Sequence, residues 1–117
     1  MAFSIEEALV GWLPDALGVP SYTEVPDPRP EEFSTVERTG GTATVGIDSP
    51  TVAVQLWAGS KARAEELALD CRDMLLERAA GLIPQVRGVS ITGGPYPFPD
   101  EDSRTHRYQI SVALTTE

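Results

Sequence analysis

An α+β fold, with two helices packed on one face of a four- to five-stranded sheet that is mostly antiparallel or mixed, is what this sequence predicts, and three observations lead there. Thr51-Val52-Ala53-Val54-Gln55-Leu56-Trp57 alternates large apolar Val52, Val54 and Leu56 with Thr51, Ala53 and Gln55, the period of two of a half-buried strand. The period then changes. After Ala58-Gly59, Ser60 is placed to cap a helix, and Ala64, Leu67, Ala68, Cys71, Met74, Leu75 and Ala79 recur at spacings of three and four, one apolar stripe along about five turns. Arg107 to Thr115 alternates again, with Tyr108, Ile110, Val112 and Leu114 on one face. The helix has a dry side that needs a sheet to lie on, and the strands supply it.

The other elements follow in order. Ser4 and Glu7 have the Ser-x-x-Glu spacing of a capping box, so a helix starts there and places Ile5, Ala8, Leu9, Trp12 and Leu13 on one face. Pro14 and Gly18-Val19-Pro20 stop it within about a turn. Tyr22 to Val25 suits a short strand, and Pro26, Pro28 and Pro30 make an extended connector. Phe33 to Thr39 reads as a strand ended by a Gly40-Gly41 turn, Thr42 to Ile47 as a loop or a short extended piece, and Asp48-Ser49-Pro50 as a turn before the central strand. Glu66, Asp70, Asp73 and Glu77 form the wet face of the long helix, while Leu69 and Leu76, off the stripe, either widen the dry face or meet another subunit. Gly81 and Pro84 end that helix, and Val86 to Thr92 restores a period of two. The segment from the central strand through the long helix to Val86 is long enough for a right-handed crossover, which would make the sheet mixed. Gly93 to Ser103 reads as a connector rich in proline and acid.

Length and charge set limits. The chain has 117 residues, one domain spanning 1–117, and 18 acidic against nine basic residues give a net charge of -9. That sign opposes nucleic-acid binding by phosphate neutralisation. The acidic start is no signal peptide, Ala8 to Leu13 is too short to span a bilayer, and the chain ends at Glu117 without a tail, so a protein made in the cytosol with no membrane partner is expected. Cys71 is the sole cysteine and lies in the helix stripe, where a thiol packs rather than reacts.

Enzyme chemistry finds little support. Cys71 and His106 would be a poorly placed thiol and base, because a nucleophile inside an apolar stripe resists forming a thiolate. Asp100-Glu101-Asp102 lacks a second cluster to complete a cation site, and Arg38-Thr39-Gly40-Gly41 lacks the helix and spacing of a phosphate loop. No catalytic residue, metal or cofactor is expected. If Val52, Val54, Leu56 and the even residues from Tyr108 to Leu114 face the helices, the opposite face carries Thr51, Ala53, Gln55, Trp57, Gln109, Ser111 and Ala113. It is polar but almost uncharged. Such a face is either the wet side of an antiparallel sheet or the centre of a protein contact, where charge is depleted, and Trp57 is equally well a core residue at the strand end.

The order of a first helix, Val25-Pro26-Asp27-Pro28-Arg29-Pro30, then Phe33 to Gly41, then Pro50 to Trp57 with its helix, then Arg107-Tyr108-Gln109, resembles the small tail terminator (tail completion) proteins of long-tailed phages and prophages, those of actinobacterial hosts in particular. The resemblance covers nearly the whole chain. It implies a virion structural protein forming a ring, a hexamer, that caps the head-proximal end of the tail tube, stops tube polymerisation and supports head joining. Its partners would be copies of itself, the tail tube protein and a head completion or neck protein, with genome DNA passing through without specific binding. An acidic ring suits that, since a lumen should repel phosphate. Carried onto this chain, the likeness puts Arg29, Arg38, Gly40 and Gly41 in loops near neighbours, with Arg38 either pairing with an acid of the next subunit or serving as a strand-end charge. Gln55, Trp57 and Gln109 fall on the uncharged face. The Gly93 to Ser103 connector, with Tyr96 and Phe98 among its prolines, would either dock the tube or the head or be a flexible loop ordered only by those prolines. Two alternatives stand: a related neck or head completion protein, and a small α+β enzyme or ligand-binding module with a pocket beside Gly93 to Ser103, served by His106, Asp100 and Asp102.

Overall fold

Ser4 caps the first helix, its Oγ accepting from the Glu7 backbone N–H at 3.3 Å, and α1 runs Ile5–Leu17 in the computed structural model, which describes residues 3–100 and 105–117. Pro14 sits inside the last turn of α1 without ending it, and the stop comes at Gly18, whose φ of 77° provides the left-handed cap. Then follow β1 (Ser21–Tyr22), β2 (Phe33–Thr44), β3 (Ile47–Ala58), α2 (Lys61–Leu82), β4 (Val86–Pro97) and β5 (His106–Thr116). Among the described residues the five strands form one sheet in the order β1-β2-β3-β5-β4.

The fold is α+β, with both helices against one face of the sheet. Val52, Val54 and Leu56 of β3 and Tyr108, Ile110, Val112 and Leu114 of β5 are buried with Ile5, Leu9 and Leu13 of α1 and with Ala64, Leu67, Ala68, Cys71, Leu75 and Ala79 of α2. Each fully buried leucine there contributes about 1.5–3 kcal/mol, so the apolar stripe of α2 is the chief reason the long helix stays down. Leu76 stands off it, 50% exposed, and Leu69 is half-buried. The sheet is mixed, though not for the reason the crossover suggested. β3 is antiparallel to β5 and β5 to β4, so β3 and β4 run the same way with β5 inserted between them, and the parallel neighbours are β1 and β2.

The strands outrun their predicted ends in three places. β2 does not turn at Gly40-Gly41; a register shift between Arg38 and Gly40 absorbs one residue and the strand continues to Thr44. Gly41 is needed for closeness, since a Cβ there would stand 2.3 Å from the Ser49 carbonyl oxygen and φ is 121°. Asp48-Ser49-Pro50 is likewise strand. Pro50 lies opposite Gly41, and the β3–β5 ladder passes from Asp48 to Thr51 without pairing Ser49 and Pro50, so the missing N–H falls in an interrupted stretch. The turn is Val45-Gly46, with Gly46 at φ 79°. On the other side β4 continues through Gly93-Gly94-Pro95-Tyr96-Pro97, taking up the glycines as register irregularities, and so shortens the predicted connector. Glu101, Asp102, Ser103 and Arg104 lie outside the described residues. From Glu37 onward β2 is exposed, so the β2–β3 hairpin stands clear of the helices as an arm, with Val45 fully exposed at its tip.

Candidate functional site

Alternation along β2, β3 and β5 puts Phe33, Thr35, Gln55, Trp57, Arg107 and Gln109 on the face away from the helices. At one end of that face Trp57 is only 2% exposed. Its ring stacks on Phe33, with centroids 5.1 Å apart and planes 11° from parallel. The Arg107 guanidinium, from the residue directly across the β3–β5 ladder, lies 4.7 Å from the Trp57 centroid and 4.3 Å from that of Phe98. Arg107 Nε donates to the Phe98 carbonyl at 2.6 Å, and the Phe98 N–H donates to the Arg107 carbonyl at 2.7 Å. Arg29, from the proline-rich connector, approaches the same indole at 5.3 Å and pairs with Asp100 at 3.2 Å. Burial lowers the pKa of Arg107 below the ordinary arginine range, Asp100 restores part of the loss, and Arg29 deepens it.

The predicted residues Arg29, Trp57 and Phe98 therefore converge, and the group they converge on, Arg107, is one that the sequence reading passed over. Its signal was present in the alternation, since Arg107 shares a face with Gln109 two residues on. The convergence also means that this end of the face is sealed by the chain's own segments, with Trp57 as a core residue at the strand end.

Beyond Trp57 a series of neutral hydrogen bonds crosses four strands. Trp57 Nε1 donates to Thr35 Oγ1 at 3.1 Å, and Thr35 Oγ1 donates to Gln55 Oε1 at 3.1 Å. Gln55 Nε2 donates to Gln109 Oε1 at 2.8 Å, and Gln109 Nε2 to the Tyr96 hydroxyl at 2.5 Å. Every donor points the same way along the series, which ends at the edge strand β4 with Tyr96, 37% exposed, its ring edge-on to Phe98. Four predicted residues, Gln55, Trp57, Gln109 and Tyr96, belong to this ladder. Past it the same face carries half-buried, uncharged Thr51, Ser111 and Ala113, with Glu37 exposed on β2 opposite Ala53.

Arg38, Gly40 and Gly41 are elsewhere, at the root of the arm. Arg38 is held inside its own chain by both oxygens of Asp48, at 2.7 and 2.8 Å, and its Nε donates to the Gly40 carbonyl. Its backbone N–H donates to Glu6 at 2.8 Å, tying the arm to α1. The hydrogen bond to Arg38 lowers the Asp48 pKa below the ordinary carboxylate value and raises that of Arg38.

The groups weighed for catalysis lie apart in the fold. Burial, helped by Asp70, pushes the Cys71 thiol up to about 12, the reverse of an activated nucleophile. His106 is exposed at the start of β5. Beside it a cavity of about 190 Å³ is lined by Lys61, Pro97, Pro99, His106, Arg107 and Tyr108, smaller than the roughly 300–1,000 Å³ of ordinary ligand sites. Among the described residues no group of three or more His, Cys, Asp or Glu side chains is placed to hold a metal ion, and no helix is long and apolar enough to cross a membrane. Of the acidic run, Asp100 is engaged with Arg29, and Glu101 and Asp102 lie outside the described residues. Against known proteins, the chain matches no family model and no curated sequence.

Proposed function

We propose that this chain is a structural, self-associating protein: a ring-forming subunit, hexameric by its resemblance to tail terminators, that caps the head-proximal end of a phage tail tube and takes part in head joining without catalysis. The observation that carries the reading is the sheet face away from the helices. In a chain of net charge -9 it is crossed by a neutral hydrogen-bonded ladder and then left open over Thr51, Ser111 and Ala113, so that beyond Glu37, exposed on β2 opposite Ala53, little charge has to be desolvated on contact. A face meant only for water would more often carry Glu, Lys and Arg. The acidic remainder of the surface keeps phosphate at a distance, which suits a ring around passing DNA.

Light scattering and negative-stain images of the purified protein, alone and with tail tube protein, test this directly. Rings or capped tubes are the expected result, and monomers throughout would refute it. Tails assembled without the protein should overrun their normal length, whereas a neck or head completion role would leave that length unchanged.

A further inference from the structure

The arm of the β2–β3 hairpin is the part of the surface least explained by the fold. No charged side chain occurs from Thr39 to Ile47, and the residues of β2 beyond Arg38 are exposed. Val45 is fully exposed at the tip and Ile47 is 49% exposed. At the root Arg38 is paired with Asp48, and across the sheet Arg87 with Glu117, which leaves Glu37 as the exposed carboxylate beside the start of the arm. Water alone gives no reason to hold an apolar pair at the end of a projecting hairpin. On the open face of the same sheet lies a shallow depression of about 340 Å³ lined by Ser49, Gly88, Ser90, Ala113 and Thr115, together with Val89 and Leu114. It too is free of charge.

We propose that the arm of one copy seats on the open sheet face of the next, with Val45 and Ile47 entering the depression beside Gly88 and Ser90. The occupant is a second copy because of the electrostatics. Two chains of -9 repel wherever their acidic surfaces meet, so contact is favoured where neutral surface faces neutral surface, and both the arm and the depression are such surfaces. Arm and depression are different patches, so the contact is head-to-tail. Each copy gives an arm and receives one, and the series closes where the rotation allows. An arm this size covers on the order of 300 Å², below the roughly 800 Å² per partner of a stable pair, so a single contact is weak and closure of the ring is what makes it persist. The inference rests on the self-association proposed above and names its surfaces.

Cysteine cross-linking tests it. Within one chain Val45 and Ser90 stand on the order of 20 Å apart, counting residues along β3 and strands across to β4, and a disulfide needs Cα atoms within about 7 Å. A bond in the Val45→Cys/Ser90→Cys variant must therefore join two chains, and buried Cys71 stays out of it. Mild oxidation of the concentrated protein should give a reducible ladder of dimers, trimers and larger species. Only monomer, or an equal ladder when the second cysteine is moved to Glu77 on the outer side of α2, would overturn the contact. Val45→Asp and Ser90→Asp should each lose association with an unchanged melting temperature, and their mixture, which allows one contact and no closed ring, should form no ring either. Assembly of either variant alone would also overturn it. Cross-linked ladders that never cap tubes would leave the arm contact standing and remove the terminator reading, and tubes capped by Val45→Asp protein would do the reverse.

Discussion

Replacing Arg107 with alanine should cost about 2–4 kcal/mol of folding free energy. The guanidinium lies 4.7 Å from the Trp57 centroid and 4.3 Å from that of Phe98, and a desolvated cation over an aromatic ring is worth up to about 2 kcal/mol. Its Nε–H to the Phe98 carbonyl is a charge-assisted bond worth about 1.5–3 kcal/mol, and since the two share one group they do not add in full. Lysine restores the charge but not the flat fork that lies on two rings while donating sideways, so Arg107→Lys should recover less than half of the loss. Arg29 gives the contrast. It lies farther from the indole, at 5.3 Å, and its partner is Asp100 in a pair 38% exposed on the arginine side, so Arg29→Ala should cost only about 0.5–1 kcal/mol. Urea denaturation followed by tryptophan fluorescence and by far-ultraviolet circular dichroism gives all three values. A loss under about 0.5 kcal/mol for Arg107→Ala, a lysine variant as stable as the parent, or an Arg29→Ala loss as large as that of Arg107→Ala would refute the account of this end of the sheet.

Two further outcomes follow from the same structure. The Cys71 thiol, raised to about 12 by burial, should resist a thiol reagent at pH 8 in the folded protein and react only as fast as the chain opens; prompt modification of native protein would show the α2 stripe to be loose. Glu32 and Asp48 have lowered pKa values because Arg63 and Arg38 hydrogen-bond to them, and a depressed carboxyl contributes stability above its unfolded pKa that is lost as pH falls through the folded one. The melting temperature should therefore fall as pH drops from about 5 to below the ordinary carboxylate range, and Asp48→Asn should flatten that slope; an unaltered slope would mean that the Arg38 pair carries none of it.

The order of elements was legible in the sequence because each apolar pattern had a single use. Val52, Val54 and Leu56, the stripe from Ala64 to Ala79, and Tyr108 to Leu114 all lie in one core, as their periods require. The strand ends were less legible, for a shared reason. Gly40-Gly41, Asp48-Ser49-Pro50 and Gly93-Gly94-Pro95 carry the composition of turns, but a glycine can also admit a close neighbouring backbone, and Gly41 and Gly94 do so against Ser49 and Gln109. Local propensity cannot tell the two uses apart; the cross-strand neighbour decides. The site was half legible. Gln55, Trp57 and Gln109 were visible as an uncharged face, whereas their bonding order and the place of Arg107 depend on which residues the ladder sets opposite one another, Trp57 against Arg107 and Gln55 against Gln109.

That register divides the face into two parts with different work. Toward Ala58, Arg29 of the connector, Arg107 of β5 and the Phe98 ring close over Trp57, so that end of the face is occupied by the chain itself. Toward the arm, past exposed Glu37 on β2, the face carries Thr51, Ser111, Ala113 and the depression by Ser90, small neutral side chains that lose little hydration when covered. The amide ladder runs along the boundary. Its amides and hydroxyls already satisfy one another, so a partner laid beside them would displace water from groups that are largely spoken for. Charged residues in the same places would each need a counter-charge from the partner, in a chain that has twice as many acids as bases to pair. Neutral polar residues at Thr35, Gln55 and Gln109 are thus what would let one face of an acidic protein meet a second copy, as the proposed self-association requires.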